Sequence, residues 1–194
     1  MSWSAAWLGR IRTSGALLAI LGGAIAVVAS RVAVVTLRDV CPAQAVTCLN
    51  TTAASWWDFN ENPGWVQGQD SSILVWLAIV TLGLLVITWG VIAIRRSRSG
   101  PICAAGVLLA GSVAILCIWA EASLTRFVTY WLSSGPPEGY NRVTYGQGRS
   151  FELSAACVAL VGIAVFVLAD RLMKPKRDGT YQNSEPAVTS VSPR

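Results

Sequence analysis

The chain has 194 residues, of which 54% are hydrophobic and 13% are charged, and its formal net charge is +5. Soluble domains carry about 25% charged residues, so this composition excludes an ordinary soluble domain and indicates a membrane protein. The basic residues stand in short clusters at the ends of apolar runs, which is typical of topology signals and does not favour nucleic-acid binding. The chain has no histidine, which excludes histidine-based catalysis and histidine metal sites.

Four apolar runs are long enough to cross about 30 Å of hydrocarbon, for which a helix needs roughly 20 residues. Backbone polar groups must be satisfied internally in lipid, and helices satisfy them. The expected fold is an all-α integral membrane protein, a four-transmembrane-helix bundle formed by residues 1–177. The predicted spans are about 15–35, 73–94, 102–123 and 153–170.

The segments outside the spans predict the topology. Residues 36–72 and 124–152 are expected to form two outer loops, and the polar tail at 178–194 is expected to be disordered. Nine Lys and Arg residues lie on the side of the termini and four on the side of the loops, so both termini are expected in the cytoplasm. The expected cytoplasmic basic anchors are Arg95, Arg96, Arg98, Arg171, Lys174, Lys176 and Arg177.

The first apolar run also has features of a cleaved signal peptide, namely a basic start and small residues at 28–30. Against cleavage, the sequence RVAVV continues the apolar run beyond that point. Small residues recur at four-residue steps in this run, at Gly15, Ala19 and Gly23, and in the fourth run at Ala155 and Ala159. Such faces let helices approach closely in lipid and predict a packed bundle.

The first outer loop contains Cys41 and Cys48. A disulfide between them is expected because the outer side is oxidising. A structural cross-link is favoured over a redox-active pair, since the C-x-x-C spacing is absent. Two cysteines without histidine do not indicate a metal site.

Aromatic residues are dense in the sequence SWWDFNENPGW, which follows the cysteine pair. Tryptophan favours the membrane–water interface, so this segment is expected to anchor the loop to the outer leaflet. Alternatively it forms a recognition surface for a partner, where tryptophan is a common hot spot. The candidate residues are Trp56, Trp57, Phe59 and Trp65.

Ionisable residues inside spans are the usual pointers to function in membrane proteins. Two are predicted here, Arg31 and Glu121, both near the outer edge of the hydrocarbon. They are expected to pair across helices or to extend to the surface, rather than to form an ion pathway. Cys117 and Cys157 fall at similar depths; they are expected to be free thiols, with a second disulfide as the alternative.

The layout of four spans with a cysteine-bearing first outer loop resembles that of the claudin-type tetraspans. That family places a Trp and a Gly-Leu-Trp before its cysteine pair, whereas here the tryptophans follow Cys48. Composition and hairpin layout also resemble small four-span proteins of actinobacteria and their phages. These likenesses concern layout alone, so no family is assigned from the sequence.

The leading functional hypothesis is a small non-enzymatic membrane protein that acts through protein contacts, in an accessory or assembly role and without a cofactor. Its expected partners are the lipid bilayer and another membrane protein or a second copy of itself, and its composition favours a bacterial plasma membrane. The alternative is a pore-forming or membrane-perturbing protein, such as a phage holin or a prophage exclusion factor. The spans lack the polar stripe of a steady aqueous channel. An enzyme that uses Asp58 and Glu61 is the least favoured interpretation, because one such pair is ordinary solvated charge.

Overall fold

The computed structural model describes residues 5–39, 51–58, 72–96, 100–134 and 140–173. It contains four helices that are long and apolar enough to cross a membrane. The helical prediction is therefore confirmed, and the chain is a multi-pass membrane protein. The helices are α1 (Ala5–Ala29), α2 (Ser72–Arg95), α3 (Gly100–Ser134) and α4 (Gln147–Met173).

The predicted end of the first span is wrong. α1 ends at Ala29, and the apolar residues that follow it leave the helix and enter a strand at Val35. The run VAVV is rich in β-branched residues, which favour strands, and Val34 and Val35 are fully buried there. The hydrophobic run thus continues as the core of a sheet.

The second predicted loop, 124–152, is also largely helical. α3 has 35 residues, or roughly 52 Å at 1.5 Å per residue, so it extends beyond a hydrocarbon layer of about 30 Å. α4 begins at Gln147, six residues before the predicted span. The extension of α3 buries Leu124, Phe127 and Val128, and this packing explains why it remains helical outside the apolar run.

A small antiparallel sheet joins the two loop regions, and the sequence pattern did not predict it. Its strands are β1 (Val35–Asp39), β2 (Thr51–Ala54) and β3 (Tyr140–Tyr145), in the order β2-β1-β3. Val35 faces Ala54 on one side and Tyr145 on the other. The all-α prediction therefore holds for the spans, while the connections between them form the sheet. We call this end of the molecule the sheet side and the end that carries Ala5 and Met173 the terminal side.

Helices α1 and α4 meet at backbone distance along one face of small residues. A Cβ atom added to Gly22 would lie 2.5 Å from the backbone nitrogen of Ala159 and 2.8 Å from the carbonyl oxygen of Ala155. A Cβ added to Gly15 would lie 2.8 Å from the carbonyl oxygen of Gly162. Both positions therefore require glycine, and the contact is of the small-residue type that associates helices in lipid.

The buried apolar residues form two cores. The first lies on the sheet side, where Val34, Leu37, Trp56 and the extension of α3 pack together. The second lies toward the terminal side and includes Trp89, Ile163 and Phe166. The sheet is thus packed on the helix ends through a hydrophobic core of its own.

The tight α1–α4 contact predicts opposite effects for two glycine-to-alanine substitutions. Gly22→Ala should destabilise the protein because its methyl group has no room, although alanine favours helix by about 1 kcal/mol over glycine. Gly111→Ala should leave the melting temperature unchanged or raise it, because nothing described lies within 4 Å of a Cβ at that position. Thermal unfolding in detergent measures both variants; equal melting temperatures would contradict the close contact.

Candidate functional site

Trp56 connects the sheet side to α4. Its side chain is only 1% exposed, and its indole Nε1 donates a hydrogen bond to Oε2 of Glu152 at 3.1 Å. A short turn positions it, in which the backbone nitrogen and the hydroxyl of Ser55 both donate to Oδ2 of Asp58, at 2.6 and 2.8 Å. Trp56 therefore belongs to the core and does not form an exposed surface, and Asp58 stabilises a turn.

Glu121 of α3 pairs with Arg149 of α4. The Arg149 Nη2 atom lies 2.9 Å from Oε2 of Glu121, and its Nε lies 3.0 Å from the same oxygen. The guanidinium also lies over the Tyr145 ring, 4.3 Å from its centroid. Pairing of Glu121 with Arg31, one of the two arrangements expected for these residues, is therefore wrong, because the carboxylate is engaged by Arg149 at the start of α4.

Arg31 lies in the turn after α1, outside the helix in which it was predicted. Its guanidinium carbon is 4.6 Å from the centroid of the Trp57 ring and 5.2 Å from that of Trp76. Trp57 and Trp76 are themselves in contact, with centroids 4.7 Å apart. This cation–π group attaches the turn after β2 to the first turns of α2, at the edge of the apolar span.

An apolar cavity of about 60 Å³ lies between the four helices, where the two cores meet. Small residues form much of its wall, among them Gly22, Gly83 and Ala156. Glu121 and Glu152 also line it, toward the sheet side. Oε2 of Glu152 accepts from Trp56, whereas its Oε1 is buried without a hydrogen-bond partner among the described residues.

A second charged cluster lies on the terminal side, and the sequence did not indicate it. Nε of Arg12 lies 3.6 Å from Oδ1 of Asp170, whose side chain is only 2% exposed. Nη2 of Arg12 donates to the carbonyl oxygen of Arg96 at 2.8 Å, and the thiol of Cys103 donates to Oδ2 of Asp170 at 3.1 Å. The ion pair and its hydrogen bonds thereby connect α1, α3 and α4 with the residue that follows α2. No local pattern in the sequence shows which distant carboxylate Arg12 meets.

The two charged clusters are separated by the thickness of a bilayer core. Asp170 and Glu152 are 18 residues apart on α4, as are Cys103 and Glu121 on α3, and 18 residues rise roughly 27 Å. Between these levels the four described helices carry no charged residue. The charges therefore flank an apolar layer close to the ~30 Å of hydrocarbon.

The remaining predicted residues fall into three sets. Arg95, Arg96 and Arg171 are exposed at or next to the ends of α2 and α4 on the terminal side. Cys117 and Cys157 are free thiols, which is the favoured expectation, and they do not form the alternative disulfide. The predictions for Cys41, Cys48, Phe59, Trp65, Arg98, Lys174, Lys176 and Arg177 lie outside the described residues.

The described residues contain no group of three or more Cys, Asp or Glu side chains that could hold a metal ion. Comparison with family models, curated proteins and solved structures found no match.

The Arg12–Asp170 pair predicts strongly non-additive substitutions. Asp170→Leu leaves a largely buried cation unpaired and should cost about 3–5 kcal/mol, and Arg12→Met should cost a similar amount. The double variant removes both charges and should be more stable than either single variant. The free energies of unfolding of the wild type, the two single variants and the double variant, measured in mixed micelles, give the coupling energy between the two side chains. A double variant whose loss equals the sum of the single losses would show that the two side chains do not interact.

Proposed function

We propose that this protein is a non-enzymatic multi-pass membrane protein that acts through contacts with other proteins, in an accessory or assembly role. Its contact surface is the pair of segments that leave the sheet side, residues 40–50 and 59–71. The partner is another membrane protein or a second copy of the chain.

The observation that supports this proposal is the attachment of the sheet to the helices. The strands come from both connections between spans, and Trp56 and the Arg31–Trp57–Trp76 group tie them to the helix ends. Segment 40–50 joins β1 to β2, and segment 59–71 joins the Ser55–Asp58 turn to α2. The residues that flank both segments are therefore held in place by the core, and preorganised elements lose less entropy on binding.

The burial of Trp56 changes which aromatic residues carry the proposal. Trp56 is enclosed in the core, so the proposed recognition residues are Phe59 and Trp65 within segment 59–71, together with Trp57. Large aromatic side chains are frequent hot spots in interfaces. Between the two charged clusters the described helices carry no charged residue, and α1 and α4 are in tight contact. Both features favour a contact function over a pore, because a steady aqueous pathway needs a polar lining.

The finer topology belongs to the same proposal. The excess of Lys and Arg on the terminal side supports a cytoplasmic position for both termini. The sheet side then faces an oxidising compartment, where Cys41 and Cys48 form a disulfide. The composition supports a bacterial plasma membrane as the location.

The test is recovery of partners by full-length protein solubilised in mild detergent. The Phe59→Ala/Trp65→Ala variant should recover about thirtyfold less partner, the effect of losing a hot spot worth roughly 2 kcal/mol. Leu108→Ala/Leu168→Ala is the matched control, since both leucines are exposed on the lipid-facing surface of the helices and should leave recovery unchanged. Two differently tagged copies of the chain distinguish self-association from another partner.

Two results would contradict the proposal. One is full recovery of the same partner by the Phe59/Trp65 variant. The other is the absence of any partner together with collapse of the membrane potential when the protein is expressed, which would support the pore-forming alternative.

A further inference from the structure

The cavity between the helices has an asymmetric lining. Its wall is formed by apolar and small side chains from all four helices, and Glu121 and Glu152 are the charged lining residues among those that the structure describes. Cys117 adds one thiol to the wall. The cavity therefore offers an apolar space with acidic groups at one end.

The two carboxylates at that end are not equivalent. Glu121 is neutralised by Arg149, which contacts both of its oxygens. Glu152 forms no ion pair among the described residues and has one oxygen bonded to Trp56. When both acids are ionised, Glu121 and Glu152 carry two negative charges and Arg149 carries one positive charge. One negative charge is therefore uncompensated. A buried carboxylate without a counter-charge is unfavourable, and a bound cation removes that penalty.

We propose that this cavity is a binding site for a small lipophilic amine in its protonated form. The ammonium group donates to Oε1 of Glu152 and supplies the missing positive charge. The alkyl chain lies among Gly22, Gly83 and Ala156, where its transfer from water is favourable. This proposal does not rest on the contact surface proposed above.

The size of the cavity limits the ligand. One buried water needs about 10–15 Å³ of cavity volume. The cavity of about 60 Å³ therefore accommodates a short alkyl chain and excludes a bulky ring system. Hexylamine is a suitable probe, since it carries one ammonium group and a flexible apolar chain. Hexanol and hexanoate have the same chain length and replace the ammonium group with a neutral or a negative group.

The experiment is thermal unfolding of the purified full-length protein in detergent, titrated with each of the three probes. Hexylammonium should raise the melting temperature with the logarithm of its concentration, hexanol should act more weakly, and hexanoate should have no effect. Glu152→Gln keeps the size of the side chain and an acceptor for Trp56, and should weaken hexylammonium about tenfold while leaving hexanol unchanged. Ala156→Leu fills the cavity and should remove the effect of both hexylammonium and hexanol.

Several outcomes would overturn the proposal. Equal effects of hexylammonium and hexanoate would indicate action on the micelle, and equal effects of hexylammonium and hexanol would show that charge is not recognised. Persistence of the amine preference in Glu152→Gln would exclude this carboxylate. Should Glu152→Gln fail to fold, unchanged binding by Ala156→Leu would independently exclude the cavity.

Discussion

The backbone contact between α1 and α4 is the constraint on which the remaining structure depends. Gly15 and Gly22 on α1 and Gly162 on α4 leave no room for a Cβ atom, so the two helices lie in direct van der Waals contact. The chain emerges from α1 on the sheet side next to the start of α4. The amides of Gly146 and Gly148 there donate to the carbonyl oxygens of Val34 and Ala33, each at 2.7 Å. The helix contact and the β1–β3 pairing therefore form one continuous seam between the first and last spans.

Several features follow from this seam. β1 pairs with β3 at the level where α4 begins. Trp56, which follows the neighbouring strand β2, therefore lies within hydrogen-bond distance of Glu152. At the opposite end the same two helices bring Arg12 and Asp170 together. α3 is held less closely and extends past the apolar layer to cover the sheet. The cavity lies between the α1–α4 pair and the other two helices, since small residues pack that pair tightly but leave space beside it.

The physical signals in the sequence explain which parts of this structure were predictable. Long apolar runs made the four helices predictable, because lipid permits few other structures. The small residues of α1 indicated a packing face. In the structure Gly22 contacts α4, whereas Gly23 contacts the backbone of Gly83 on α2. The spacing of the small residues cannot show which helix each of them contacts. The strands have four to six residues and no clear alternation, so their pairing depends on tertiary context. Trp56 and Trp57 are adjacent and chemically identical, yet one is buried in the core and the other stacks on Arg31. The pairs Arg12–Asp170 and Glu121–Arg149 join distant segments, and charge at a span edge does not identify its partner.

Disulfide cross-linking between the two halves of the chain tests the continuous seam most directly. Thr36 and Thr144 are directly opposed in the β1–β3 pairing, a geometry within the range for a disulfide. The background for this test has Cys103, Cys117 and Cys157 replaced by alanine and a protease site inserted at residues 97–99. In that background the Thr36→Cys/Thr144→Cys variant should remain one band after oxidation and cleavage. Thr36→Cys/Val143→Cys should separate into two fragments, because a shift of one residue places the side chains on opposite faces, and each single cysteine variant should do the same. Separation of the Thr36/Thr144 variant into two fragments would contradict the seam.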